Sequence, residues 1–468
     1  MSLFKKTESV PTGGALFSNK ALVKLIVPLF LQQVLTVMVG AVDTMMVSDA
    51  GEAAVSGVSL VNQLDTFLVI FFTAMVTGGS VVVSQKLGEK KKDDICEAAK
   101  QLLYVSTTLA LILAITVISL RFFILNLLFG AAEADVMSSA QDYFFFVAMS
   151  FPFLAISFSC GACFQAAGNS TIPLTVSLIS NVVNIAGNAI CIYVFGLGAM
   201  GAAIATLISR IVNSSIQLTL IHRKKHEVHI ESLLRYKPDF KIIKRMLGIG
   251  VPNGIENAMF QFGRLLTQTL ISGLGTSVIA ANAVSLTLAN FQYMTGTACS
   301  SAMVPIVGRC IGAGEVGQAK RYSRKILFIN YCTIWTVIAV TAIFVGPLVA
   351  LYGLEGESAD LAIKLLLSHC AVAALIWPIG FMLPSAFRAA GDVKLPMFVS
   401  SSCMWVFRVA GGYVLALSSI SVFGLFSIPG LGLSIAGVWI AMYADWVVRV
   451  AIYIWRYTSG RWLHAVRK

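Results

Sequence analysis

Mostly apolar stretches of about 20 residues or more, long enough to cross a bilayer as helices, recur along this chain from one end to the other. No other feature limits the possible folds as much. In hydrocarbon every backbone polar group must be satisfied within its own segment, so a series of such stretches implies a polytopic helical membrane protein. Hydrophobic residues make up 57% of the 468 and charged residues only 12%, where a soluble domain has about 25%. Periodicity and length predict an all-α protein with twelve spans, at roughly 21–46, 54–82, 98–120, 139–161, 172–195, 200–222, 243–272, 278–307, 322–346, 362–386, 396–419 and 432–455. The opening MSLFKKTESVPTGG is short, polar and basic and lacks the apolar core of a signal peptide.

The net charge of +12 would suit nucleic acid, but its placement points elsewhere. Alternate loops collect the Lys and Arg residues: Lys5, Lys6, Lys20 and Lys24 in the arm, Lys86 to Lys100 after span two, and a basic run between Arg223 and Arg245. Arg309 to Lys325, Arg388 with Lys394, and the tail from Arg456 to Lys468 continue the series. The intervening loops are neutral or acidic, with Asp49 and Glu52, then Glu133 and Asp135, then Glu355, Glu357 and Asp360. This positive-inside pattern agrees with twelve spans and places both termini in the cytosol. The basic charge is therefore topogenic, and a nucleic-acid partner is excluded.

The chain also repeats itself. Phe164-Gln-Ala-Ala-Gly168-Asn-Ser-Thr-Ile-Pro173 recurs as Phe387-Arg-Ala-Ala-Gly391-Asp-Val-Lys-Leu-Pro396. Pro28 matches Pro252, Gly88 matches Gly312, and Val58-Ser-Leu60 matches Val284-Ser-Leu286, in the same order and at nearly constant offset. Each repeat holds six spans, and an even number returns the chain to its starting side. The halves should therefore be parallel repeats related by a pseudo-twofold axis along the membrane normal. The expected organisation is an N-terminal six-helix bundle over 1–222, a basic cytosolic linker over 223–242, and a C-terminal bundle and tail over 243–468. Pro28 and Pro252, each within a span, are hinge candidates.

Polar residues inside spans are costly and mark function by default. In VPLFLQQVLTVMVGAVDTMMV, Asp43 has no close charged neighbour, and Gln32, Thr36 and Asp43 share one helix face. The fifth span carries Asn181, Asn184 and Asn188, and the sixth Thr206. Carboxylate, carboxamide and hydroxyl oxygens are hard ligands that suit Na+; the same groups could instead hold a protonated Asp43. Bundle-holding hydrogen bonds are the competing explanation for the asparagines and for Asp43. In the second half, Thr267 stands where the offset would place Asp43, and Asn257, Gln261, Arg264 and Gln268 form a stripe on the seventh span. Arg264 faces either a cavity or a buried partner, and in a cavity it could bind an anionic group. Asp445 and Arg449 are spaced for an ion pair within one helix. Asp65, Arg210 and Arg408 are further charges within spans, and Glu256 lies nearer the cytosolic end of the seventh.

No GxxxxGK[ST] phosphate loop, GxSxG, HExxH or paired carboxylates occur in a loop large enough for an active site, so an enzyme is not expected. Cys160-Gly-Ala-Cys163 has redox spacing but sits among small apolar residues, where it reads as packing. No Cys/His cluster suggests a metal site, and no cofactor is implied.

Taken in order, Pro28 followed by Asp43-Thr-Met-Met-Val, GGSVVVSQKLGEKKK, FQAAGNSTIP, Asn184-Ile-Ala-Gly-Asn188 and GAMGAAIAT resemble the multidrug and toxic compound extrusion (MATE) family over about residues 15–460. The resemblance implies two six-helix bundles, open to one side at a time, that expel amphipathic, often cationic small molecules in exchange for Na+ or H+. It implies that Asp43 is the first-helix carboxylate of a cation or proton site, accompanied by Asn184, Asn188 and Thr206. Some members have an aspartate where this chain has Asn188, and others carry an acid on the tenth helix, which is missing here. Gln32, Thr36, Asn181, Asn257, Gln261, Arg264 and Gln268 are candidates for a substrate cavity. The chief alternative is a flippase or exporter of a lipid-linked or other specific metabolite on a related fold. The short loops suggest the bacterial inner membrane, with lipid as the surrounding partner. Because both halves lie in one chain, a monomer should suffice.

Overall fold

The computed structural model describes residues 16–130, 132–230, 236–422 and 426–463. Lys5, Lys6, part of the 223–242 linker, Arg467 and Lys468 lie outside the described residues. The helices run α1 Asn19–Ser48, α2 Glu52–Glu89, α3 Lys92–Phe129, α4 Ala134–Met149, α5 Phe151–Ala166, α6 Thr171–Asn188 and α7 Gly198–Ile221. They continue as α8 Phe240–Ser272, α9 Thr276–Gly312, α10 Val316–Ile343, α11 Val345–Ala350, α12 Gly356–Ala389, α13 Lys394–Cys403, α14 Gly411–Ala416 and α15 Ser434–Thr458.

Among the described residues, nine continuous helical segments are each long and apolar enough to cross a bilayer. The pair α4 and α5, bent by 44° at Ser150, qualifies as one broken span. The helices α8 and α9, with 33 and 37 residues, have the length but more polar side chains. These segments coincide with the twelve expected spans. Three details go beyond the expectation. The fifth span widens into a π turn at Ala189–Val194 and the eleventh into another at Met404–Ala410. The connection between the last two spans carries a small antiparallel ladder, β1 Ser419–Val422 with β2 Phe426–Pro429, so the described residues are all-α except for this element.

By internal packing the chain forms two compact units, Leu16–Gly254 with Gly308–Gly314, and Ile255–Val307 with Glu315–Lys468. The first turns of α8 thus belong with the first unit, where Gly78 leaves room for the backbone of Met246 and Gly250. The described residues of the linker lie on that unit too. Tyr236 stacks on Tyr104 at 4.1 Å, and Gln101 donates to the Lys237 carbonyl at 2.6 Å. Helices cannot be driven together by hydrophobicity when lipid is as apolar as they are, so close packing must do more of the work. Accordingly, a Cβ on Gly187 would approach that of Ala205 to 2.9 Å, which fixes α6 against α7. The core of the first unit centres on Phe72, Phe144, Phe151 and Val61, and that of the second on Trp377, Trp439 and Trp446.

The repeat is visible in the backbone. After Phe164, the Asn169 amide donates to the Phe164 carbonyl and the Gly168 amide to that of Gln165, both at 2.9 Å. After Phe387, the Asp392 and Gly391 amides donate to the carbonyls of Phe387 and Arg388, again at 2.9 Å. Gly168 and Gly391 have φ of 82° and 83°. Both motifs are Schellman caps, which need a left-handed residue that glycine supplies without strain.

Candidate functional site

The carboxylate of Asp43, five residues before the end of α1, accepts a hydrogen bond of 2.7 Å from the Asn188 amide at the end of α6. One turn earlier on α6, the Asn184 amide points to the Thr206 hydroxyl of α7 at 3.5 Å. Asn184 and Asn188 are buried, 5% and 1% exposed. The carboxamide oxygens of both accept no hydrogen bond. A buried acceptor left without a donor is expensive, and a cation or a proton donor would relieve the cost. The structure therefore brings Asp43, Asn184, Asn188 and Thr206 together as four oxygen-bearing groups from three helices.

The π turn after Asn188 explains how α1 is held. Tyr193, five residues on, donates to Asp49 at 2.7 Å, so α6 grips α1 at two points. In a regular α-helix, residues five apart differ in direction by about 140°. The wider i→i+5 turn brings them toward one face, and such turns are common at functional sites.

The remaining sequence candidates are placed less tightly. Gln32 and Asn181 are half-buried, while Thr36 is exposed and bonds back to the Gln32 carbonyl at 2.9 Å. In the second unit, Thr267 is buried and donates to the Gly263 carbonyl, so it carries no site like that of Asp43. Asn257 and Gln261 are half-buried, and Gln268 and Arg264 are exposed. Arg264 donates to Gln261 at 3.4 Å and has no ion pair among the described residues. The Asp445–Arg449 pair exists, at 2.8 Å, with both side chains buried. Pro28 and Pro252 both lie inside helices. Cys160 and Cys163 are free and buried in α5.

The first unit holds a second polar group, whose charged members stood out within their spans but whose pairing had no local signal in the sequence. Asp65 of α2 pairs with Arg210 of α7 at 3.1 Å, and Arg210 also donates to Ser150, at the bend between α4 and α5, at 2.7 Å. Tyr143 donates to Asn62 at 3.3 Å and lies within electrostatic reach of Asp65, Arg210 and Asp43. Only the fold unites these residues, which come from α2, α4, the α4–α5 bend and α7.

Two repeated sets of six spans, with an acid and carboxamides inside the first, have the build of a helical membrane carrier. Comparison with known proteins agrees. The MatE family model matches twice, at residues 28–190 and 252–414, so each match begins at one of the paired prolines. The chain belongs to the MATE family. It is 26% identical over 99% of its length to an uncharacterized transporter, YisQ, of Bacillus subtilis (98% of that chain). It is also 26% identical over 98% of its length to a probable multidrug resistance protein, NorM, of Thermotoga maritima (96% of that chain). Among solved structures, a MATE crystal structure in a bent conformation shares the fold with a TM-score of 0.84 at 19% identity, over 96% of this chain and 97% of the other. An outward-facing MATE transporter gives 0.83 at 19% identity, with the same coverage. The protein is thus a multi-pass membrane transporter and not an enzyme.

Proposed function

We propose that this protein is an antiporter that exports amphipathic cationic small molecules in exchange for Na+ or H+ by alternating access. The Asp43–Asn188 pair beside two buried, donorless carboxamide oxygens carries the reading. Hard oxygen ligands around one carboxylate suit Na+, and the same carboxylate can carry one proton. The multidrug names of several relatives support the substrate class. The positive-inside pattern supports cytosolic termini in a bacterial inner membrane, and two halves in one chain support action as a monomer.

Coupling follows from linkage. Ion or proton at Asp43 stabilises one conformation and substrate the other, each only by its differential affinity for the two. Displacement of one by the other then ties inward ion flow to outward substrate flow. Asp43→Asn keeps the hydrogen-bonding shape and removes the charge. In proteoliposomes bearing a Na+ gradient or a pH gradient, wild type should move ethidium under one of them, and Asp43→Asn should not. Normal gradient-driven movement by a folded Asp43→Asn protein would refute the assignment.

A further inference from the structure

The second unit carries an excess of positive charge that its own acids do not absorb. Around Phe260 and the end of α12 it carries Arg264, Arg388, Arg408 and Arg449 against Glu256 and Asp445. Arg388 bridges Glu256 at 2.8 Å. Arg449 takes one oxygen of Asp445 at 2.8 Å and also donates to the Ser400 hydroxyl at 2.8 Å. That leaves Arg264 and Arg408, neither of which has an ion pair among the described residues. Arg408 lies in the π turn Met404–Ala410. Its only hydrogen-bond partner among the described residues is the Met442 thioether at 3.2 Å, a weak acceptor, and its Nε is buried and donates to nothing.

The two guanidinium groups share a neighbourhood, in which the single carboxylate of Asp445 serves Arg449 directly and attracts Arg408 from further off. Arg408 and Arg449 each lie 5.8 Å from the ring of Phe260 on α8, and Arg264 is one turn further along the same face of that helix. Beside them runs an aromatic wall. Phe260 meets Phe381 edge-on at 6.3 Å, Phe381 stacks on Trp377 at 5.3 Å, and Trp377 stacks on Tyr293 at 5.0 Å.

Three guanidinium groups around one carboxylate leave an excess of charge that is costly inside a membrane protein, and such residues face substrate paths or the bundle interior. A guanidinium's planar fork of donors matches a carboxylate bidentately, and a flat ring packs beside aromatic side chains. We propose that Arg408 and Arg264 form a receptor for the carboxylate of an amphipathic aromatic substrate whose ring system lies against Phe260, Phe381 and Trp377. The inference rests on the transport reading above and narrows its substrates to zwitterions that carry an acid besides their cationic group.

The test uses the full-length protein in nanodiscs and two probes, a zwitterionic rhodamine with a free carboxylate and its methyl ester, which is a plain cation. Equilibrium binding by fluorescence anisotropy should favour the acid over the ester by roughly tenfold to a hundredfold, the range for a charge-assisted hydrogen-bonded pair. Arg408→Gln and Arg264→Gln should each reduce that preference by weakening binding of the acid far more than binding of the ester. Arg408→Lys should keep part of it, as charge without the fork. Arg264→Gln, at an exposed position, serves as the second variant should Arg408→Gln fail to fold. Equal binding of both probes by wild type, or no binding of either, overturns the proposal, as does an undiminished preference in folded Arg264→Gln. Because binding needs no gradient, the result is independent of coupling. Ester transport lost only in Asp43→Asn separates a failure of the antiport reading from a failure of this site.

Discussion

Arg210→Gln should be among the most damaging single changes in the first unit. It would leave the Asp65 carboxylate without its cation, and one oxygen of that carboxylate already lacks a hydrogen bond. Breaking a buried pair by removing one partner costs about 3–5 kcal/mol. The side chains here keep 18% and 17% exposure, so a loss near the lower end, about 3 kcal/mol, is expected. Removing both charges with apolar residues of similar size, Asp65→Leu with Arg210→Met, should return stability to within about 1 kcal/mol of wild type, since desolvation of the pair offsets its attraction. The coupling between the two sites should then be at least about 2 kcal/mol. All seven tryptophans lie in the second unit, so their fluorescence would report the wrong half. Thiol labelling of Cys160 and Cys163, each 1% exposed in α5, during sodium dodecyl sulfate titration reads the first unit directly. A loss for Arg210→Gln below about 1 kcal/mol, the value of a surface pair, or additive effects of the single changes, would refute the reasoning.

Two further outcomes are expected. Asn188→Ala removes one of the two buried carboxamide oxygens beside Asp43 that accept no hydrogen bond, a hard ligand suited to Na+, so where Na+ drives transport its concentration at half-maximal rate should rise, roughly tenfold for a lost contribution of about 1.4 kcal/mol; an unchanged value would detach Asn188 from the site. His226, in the linker after α7, is held below its ordinary value of 6.5 by burial first and then by Lys225 and Arg223. The released linker takes up a proton before the docked one, so docking is at full strength above about pH 6.5 and weakens as pH falls through that value. Protection of the linker amides, measured as the exchange rate relative to the intrinsic rate at each pH, should fall on acidification in wild type and much less in His226→Asn.

Much of the architecture was legible because membrane solvent leaves the chain few options. The twelve spans, the matched prolines and the two FxAAG motifs could be read directly, and the family match begins at Pro28 and Pro252. The meeting of Asp43 with Asn188 was foreseen by resemblance rather than from the residues alone. The Asp65–Arg210 pair was not foreseen, since its members are 145 positions apart and nothing local specifies which helices become neighbours. Nor were the π turns, because a one-residue widening leaves the apolar pattern of a span almost unaltered. The ladder of Ser419–Val422 with Phe426–Pro429 escaped notice for a related reason. Its short strands SISV and FSIP continue the apolar character of the spans on either side.

The twin caps at Gly168 and Gly391 have a consequence for ancestry. A gene that doubles itself yields two copies with one job, and each is free to drift only if drift does not derail the chain. A stop set by a single glycine restarts the next helix from the same point in both copies, whatever side chains follow. One copy could then keep asparagines and face a carboxylate, while the other acquired arginine 20 or so residues on, without either losing its path. The shared joint holds both halves to the same path while their side chains differ.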